Sequence, residues 1–207
     1  MLILSHRGYW REAEEKNAWI AFERTVASGY GTETDVRDLN GELVVSHDPP
    51  LAGAGRWGEV VALFRDTGLP LAVNIKADGL SAMLAEAFAD SGIDWFAFDM
   101  SGPETVRYAC AGLPFFTRHS DVEPEPVLYA EANGVWLDAF TDHDWITPSV
   151  IQTHLDNGKR VCLVSPELHG RAPDPFWSMI APLAAAGNDA LMLCTDIPDD
   201  AKARFSL

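Results

Sequence analysis

Val135-Trp-Leu-Asp138, then Pro148-Ser-Val-Ile-Gln-Thr-His-Leu155, Gly158 and Arg160-Val-Cys-Leu-Val164 make up the stretch that decides the fold. Two apolar runs, short enough for buried strands, bracket an amphipathic segment that opens on proline and closes near glycine. Proline at the first helical position forfeits no intrahelical hydrogen bond, and glycine supplies the left-handed residue on which helices end. The unit reads strand, helix, strand. It repeats at once, because Pro175 to Ala185 and Gly187 lead into a further run at Ala190 to Cys194.

Working outward, the alternation covers the whole chain. Strands are expected at Leu2 to Ser5, Gly31 to Val36, Leu69 to Ile75, Trp95 to Asp99, Phe115 to Thr117, Val135 to Asp138, Arg160 to Val164 and Ala190 to Cys194. Amphipathic segments lie between them at Trp19 to Ala27, Gly58 to Phe64, Leu80 to Ala89, Pro103 to Ala109, Pro126 to Ala132, Pro148 to Leu155 and Pro175 to Ala185. Buried strands alternating with helices are the pattern of parallel α/β folds. Eight of them predict a single (β/α)8 TIM barrel over residues 1–207, near the lower size limit for that architecture. One insertion interrupts it: Leu39-Asn-Gly-Glu42 is a hairpin turn that leads into Leu43-Val-Val-Ser46 after the second strand.

Composition narrows the function classes. With 15 Lys and Arg against 31 Asp and Glu, the formal charge is −16, which argues against nucleic acid as a partner. No apolar run approaches the ~20 residues that span a bilayer, no basic amphipathic segment suggests membrane docking, and the N-terminus lacks a secretory pattern. The expected compartment is therefore the cytoplasm. Cys110, Cys162 and Cys194 show no metal-ligand spacing and read as reduced thiols, the last two buried.

Every expected strand ends in ionisable or polar chemistry, at the barrel end where such enzymes keep their reactive groups. His6-Arg7 follows the first strand, Glu33 and Asp35 lie on the second, His47-Asp48 ends the hairpin and Asn74 and Lys76 close the third. Asp99, Arg118-His119, Asp138, Glu167 with His169, and Thr195-Asp196 end the remaining five. Because strand side chains alternate, Glu33 and Asp35 share a face, as do Asn74 and Lys76. Two adjacent carboxylates repel unless a cation lies near, and oxygen ligands suit Mg²⁺ or Ca²⁺ better than zinc. The alternative is that they sit at a solvated strand end, paired with Arg37 and Lys76. His6 and His47 form the second informative pair, since histidine exchanges protons near neutral pH. Arg118, Glu167 and His169 are specificity candidates, and Trp136 could stack on a sugar or glycerol, although a buried barrel Trp is the commoner outcome. His143 and His154 read as surface residues.

The set His6-Arg7-Gly8, Asn17-Ala-Trp-Ile-Ala-Phe22, Glu33-Thr-Asp35, Asn40-Gly41, Ser46-His47-Asp48, Asn74-Ile-Lys76 and Thr195-Asp-Ile-Pro198, in this order, resembles the glycerophosphodiester phosphodiesterases. These belong to the phosphatidylinositol-phospholipase-C-like TIM barrels. The resemblance implies cation-assisted cleavage of a small phosphodiester, with Mg²⁺ or Ca²⁺ on Glu33, Asp35 and Asn74. It implies attack by a neighbouring substrate hydroxyl through a cyclic intermediate, with His6 and His47 as the base and acid, His6 the base by analogy though the sequence does not fix the order, and Arg7 and Lys76 on the phosphoryl oxygens. Asp196, on the strand that closes against the first, is placed to orient His6. One departure stands out: the family pattern has Glu where this chain has Asn74, which lowers the charge offered to a cation. A non-catalytic barrel that binds a phosphorylated ligand is therefore the competing expectation. The identity of the alcohol and the oligomeric state are not legible in the sequence.

Overall fold

In the computed structural model, which describes residues 1–207, all ten strands join one connected sheet. Eight are parallel: β1 (Leu2–His6), β2 (Gly31–Leu39), β5 (Leu71–Ile75), β6 (Trp95–Phe98), β7 (Phe116–His119), β8 (Gly134–Leu137), β9 (Arg160–Val164) and β10 (Leu191–Thr195). They follow one another as neighbours from β1 round to β10, which pairs back onto β1. The joint between β6 and β7 is the thin one, a single parallel bridge between Ala97 and Phe115. There the Ala97 N–H donates to the Pro114 carbonyl at 3.0 Å.

Helices α1 (Trp19–Ser28), α2 (Trp57–Phe64), α3 (Ser81–Phe88), α4 (Gly102–Ala111), α5 (Pro148–Asp156), α6 (Asp174–Ala185) and α7 (Pro198–Phe205) connect the strands. Strand parity divides the core. Inward residues such as Leu4, Ala72, Phe96, Phe116, Cys162, Met192 and Cys194 pack against each other within the ring. Outward residues pack under the helices, Leu71, Val73 and Ala97 in one cluster, and Val135, Val161 and Leu193 in another. Phe96 and Phe116 stack at 3.7 Å. Gly134 makes room for that stack, since a Cβ there would lie 2.5 Å from the Phe116 ring.

The expected hairpin is present. Asn40 and Gly41, at φ 53 and 83, both take the positive φ that a type I′ turn requires. Strand β3 (Glu42–Val45) then runs antiparallel along residues 36–39 of β2, and β4 (Gly55–Arg56) pairs with it. The Ser46 N–H donates to the Asp35 carbonyl at 3.2 Å, which returns His47 to the mouth of the ring.

Two segments differ from expectation. Pro126 to Ala132 carries helix-like apolar spacing but forms turns, because Leu128 adopts φ 50, a left-handed conformation that a helix cannot continue through. Helix α7 follows β10 where no helix is expected, begun by Pro198 and seated on the barrel by buried Ala201 and Phe205. No helix is long and apolar enough to cross a membrane.

Candidate active site

At the C-terminal ends of the strands lies a hollow of about 340 Å³, at the lower end of the range that takes small ligands. Its two walls differ in kind. His6, Arg7, Glu33, His47, Asn74 and Lys76 line one; Phe98, Trp136, Phe140, Val164 and Leu168 line the other. Asp99, Arg118, Asp138 and His169 lie between.

The polar wall begins with the turn after β1. Arg7 and Gly8 both have positive φ, 57 and 81. A Cβ on Gly8 would lie 2.8 Å from that of Ala21, so glycine is required for the turn to dock on α1. The Gly8 N–H donates to the Thr32 hydroxyl at 3.0 Å. This holds His6 with Nδ1 2.7 Å from an Asp196 carboxylate oxygen. An ionised carboxylate only accepts, so Nδ1 carries the proton and Nε2 is left as acceptor in the neutral ring. Burial alone would push the Asp196 carboxyl up, but the hydrogen bond and charge of His6 outweigh it and hold it below its ordinary value. Lys16 adds its ammonium 3.8 Å from the second Asp196 oxygen.

Glu33 and Asp35 are both buried. Desolvation, then the charge of Asp35, push the Glu33 carboxyl up to about 7. Its Oε2 accepts from the Arg7 N–H at 3.2 Å and lies 3.8 Å from His6 Nε2. Asp35 sits beneath the hollow with Arg7 Nε at 3.0 Å and Lys76 Nζ at 3.3 Å, and it accepts from the Asn17 amide at 2.8 Å. Register places Asn74 opposite Asp35, and Asn74 Nδ2 donates to Asp99 at 3.2 Å. Two buried oxygens here, Asn74 Oδ1 and Asp35 Oδ1, accept no hydrogen bond. The partnerless Asn74 oxygen beside the Glu33 and Asp35 carboxylates forms a donor set that suits a hard cation, with Lys76 Nζ already 3.3 Å from Asp35 Oδ1. Counting only His, Cys, Asp and Glu, no group of three is placed to hold a metal, so the Asn74 amide would have to complete the set.

Arg118 organises the rim. It pairs with Asp99, with Glu123 at 3.3 Å and with Asp138 at 3.3 Å. Asp138 also accepts from His169 Nε2 at 2.7 Å. Trp136 stacks on Phe98 at 3.8 Å and forms the floor of the apolar wall. A second cleft of about 480 Å³ opens on the other side of Asp99 and Arg118.

No family profile matches the sequence, and neither does any curated protein. Solved structures do. A glycerophosphodiester phosphodiesterase from Parabacteroides distasonis superposes on 99% of this chain and 96% of its own, with a TM-score of 0.67 and 16% identity. A glycerophosphoryl diester phosphodiesterase from the same organism covers 99% of this chain and 86% of its own, at 0.67 and 14%. A Ca²⁺-dependent phosphatidylinositol-specific phospholipase C from Streptomyces antibioticus covers 97% and 95%, at 0.57 and 14%. This chain has the glycerophosphodiester phosphodiesterase fold.

On that fold, nine of the residues singled out from sequence line one hollow: His6, Arg7, Glu33, His47, Asn74, Lys76, Arg118, Trp136 and His169. Asp35 and Asp196 lie one layer behind. Glu167 is placed otherwise than expected. Its carboxylate turns to Ser165, Thr195 and the Asp196 N–H, and it does not line the hollow. The alternative for Glu33 and Asp35, a solvated strand end paired with Arg37 and Lys76, holds only for Lys76, which pairs with Asp35 at 3.3 Å; both carboxylates are buried, and Arg37 donates instead to the His47 carbonyl at 3.0 Å. His154, expected at the surface, is buried against His119 and Tyr129, since α5 packs its last turn on the barrel. Sequence reasoning placed Asp99 at the functional end of the strands and Asn17 in the matching set but gave neither a role, whereas Asp99 lines the hollow and Asn17 donates to Asp35. Their shared signal is a polar residue at a left-handed position, φ 61 and 64, which appears only once the backbone is known.

Proposed function

We propose that residues 1–207 form one catalytic domain that hydrolyses a small phosphodiester, of glycerophosphodiester or sugar-phosphodiester type, by histidine acid–base catalysis. One observation carries this: a carboxylate-paired imidazole, His6 with Asp196 at 2.7 Å, faces the same anion-sized hollow as His47, Arg7 and Lys76.

In the neutral tautomer that Asp196 selects by holding the proton on Nδ1, His6 Nε2 is the free acceptor that takes the proton from the attacking water or substrate hydroxyl. His47, at the exposed rim with Asp48 at 2.9 Å, returns a proton to the leaving alcohol. Asp35 holds Arg7 and Lys76 in advance of substrate, so their positive ends meet the charge that builds on phosphoryl oxygens without reorganising. Those cations also offset, locally, the −16 charge that repels an anionic substrate at a distance. Glu33, Asp35 and Asn74 would hold the divalent cation, Mg²⁺ or Ca²⁺. When bound, the cation supplies Lewis-acid stabilisation of the phosphoryl group. The leaving alcohol lies against Trp136, with Arg118 and His169 within its reach, and longer groups extend toward the cleft beyond Asp99.

The test is release of alcohol from glycerophosphodiesters and from bis(4-nitrophenyl) phosphate with Mg²⁺, Ca²⁺ or Mn²⁺ present. His6→Ala and His47→Ala should each lower kcat by roughly 10²–10⁴-fold with unchanged circular dichroism. Ca²⁺ or Mg²⁺ should raise the wild-type Tm and leave the Tm of Glu33→Gln where it is. Asn74, which brings no charge, and the two cations already on Asp35 favour a second reading, a barrel that binds a phosphorylated ligand without turnover. Equal inertness of wild type and both histidine variants across a broad diester panel would select it.

A further inference from the structure

We infer that Glu167 is a positioning residue that sets His6 through Asp196, an inference that rests on the proposed role of His6. Glu167 follows β9 in the short 3-10 turn Pro166–His169. Both of its carboxylate oxygens are occupied within the protein. Oε2 accepts from the Ser165 hydroxyl. Oε1 accepts from the Thr195 hydroxyl at 2.5 Å and from the Asp196 N–H at 3.2 Å.

The Thr195 hydroxyl that donates to Glu167 itself accepts from the Ile197 N–H at 3.1 Å. Both N–H groups flanking the Asp196 α-carbon are thus tied, directly or through one hydroxyl, to a single oxygen of Glu167. The Asp196 side chain then meets His6 at 2.7 Å. The anchor is itself held from the outer layer, because Trp177 on α6 donates its indole N–H to the Ser165 hydroxyl at 2.8 Å. Ser165 and Thr195 are fully buried, so no water stands ready to replace a lost bond. Only a carboxylate supplies acceptor capacity for all three donors at once. An amide keeps one acceptor oxygen and turns an N–H₂ toward hydroxyls that are already donating.

The experiment pairs a thermodynamic cycle with a spectroscopic signature. With bis(4-nitrophenyl) phosphate as probe, Glu167→Gln should lower kcat ~10-fold, the scale of outer-shell partners, with KM within twofold. In the Asp196→Asn background the same change should cost nothing further, because its route to His6 is already cut. A multiplicative loss in the double variant would overturn the inference and leave Glu167 a strand staple.

With ¹⁵N-labelled histidine, the Nδ1–H resonance of His6, assigned by its loss in His6→Gln, should shift or broaden in Glu167→Gln while the ring nitrogen resonances of His119 and His154 stay in place. An unmoved His6 resonance with a lowered Tm would overturn it. Thr195→Val, which removes one donor to the same oxygen, should move the His6 resonance in the same direction by less, and serves if Glu167→Gln does not fold. If wild type turns nothing over, or His6→Gln retains full turnover, the catalytic proposal fails while the resonance still decides the coupling.

Discussion

Two histidine clusters at the same end of the barrel invite comparison. His6 leaves β1 pointing inward and meets a carboxylate, Asp196, at 2.7 Å. His119 leaves β7 pointing away from the hollow that its neighbour Arg118 lines, and meets a second imidazole, His154, at 3.0 Å. Tyr129 closes that second chain on His154 at 2.9 Å, and the Asn157 amide donates to Tyr129 at 3.3 Å. One polarity satisfies each member: Asn157 to Tyr129, phenol to His154 Nδ1, His154 Nε2–H to His119. That chain works only with neutral rings. Burial, then the neighbouring His119, lower His154 to about 4, and burial lowers His119 as well. The difference teaches that a histidine at a strand end is made reactive by the charge of its partner and the direction it faces, not by its place in the chain.

The largest effect that could break this contrast is on turnover. His6→Ala should cost roughly 10²–10⁴-fold in kcat, whereas His119→Leu should leave kcat within twofold on the same diester. A comparable loss in both would erase the distinction. On stability the order reverses: His119→Leu leaves the buried His154 N–H without an acceptor and should cost about 1–3 kcal/mol in urea unfolding.

A smaller, pH-dependent effect follows from His154. Its folded value, about 4, lies below the ordinary 6.5, so between the two the unfolded chain binds more protons. Its contribution to stability is complete above pH 6.5 and is lost as pH falls toward 4, with a slope of at most ~1.4 kcal/mol per pH unit. The wild-type curve should fall more steeply than that of His154→Gln across this window; parallel curves would show that His154 is not held neutral. The smallest effect expected is for Tyr129→Phe, which removes one donor from the chain and should cost ~1 kcal/mol without altering the pH slope by more than a fraction of that seen with His154→Gln.

Much of the site was legible because a strand has period two. Glu33 with Asp35, and Asn74 with Lys76, share faces whatever the register, and charge at strand ends points to the functional end of a parallel barrel. Parity could not be carried across an uncertain boundary. Arg118 and His119 are adjacent and of similar chemistry, and a one-residue choice of strand phase decides which of them enters the hollow. Glu167 was misplaced for a related reason. Two of its three donors, Thr195 and Asp196, lie at and just beyond the end of β10, and nothing within its own loop signals that its charge is spent there.

By itself the sequence determined the alternation of strands and helices, the hairpin at Asn40-Gly41 and the end of the barrel on which chemistry collects. Each of these is a local matter of apolar spacing, proline, glycine and side-chain alternation. Only the tertiary structure decided that Asp35 is neutralised by Arg7 and Lys76, that Asp196 meets His6, that Glu167 lies behind rather than within the site, and that residues 126–132 turn instead of coiling. These outcomes depend on which groups distant in the chain arrive within 3–4 Å of one another, and pairing energies at that range belong to the assembled fold and not to any segment of it.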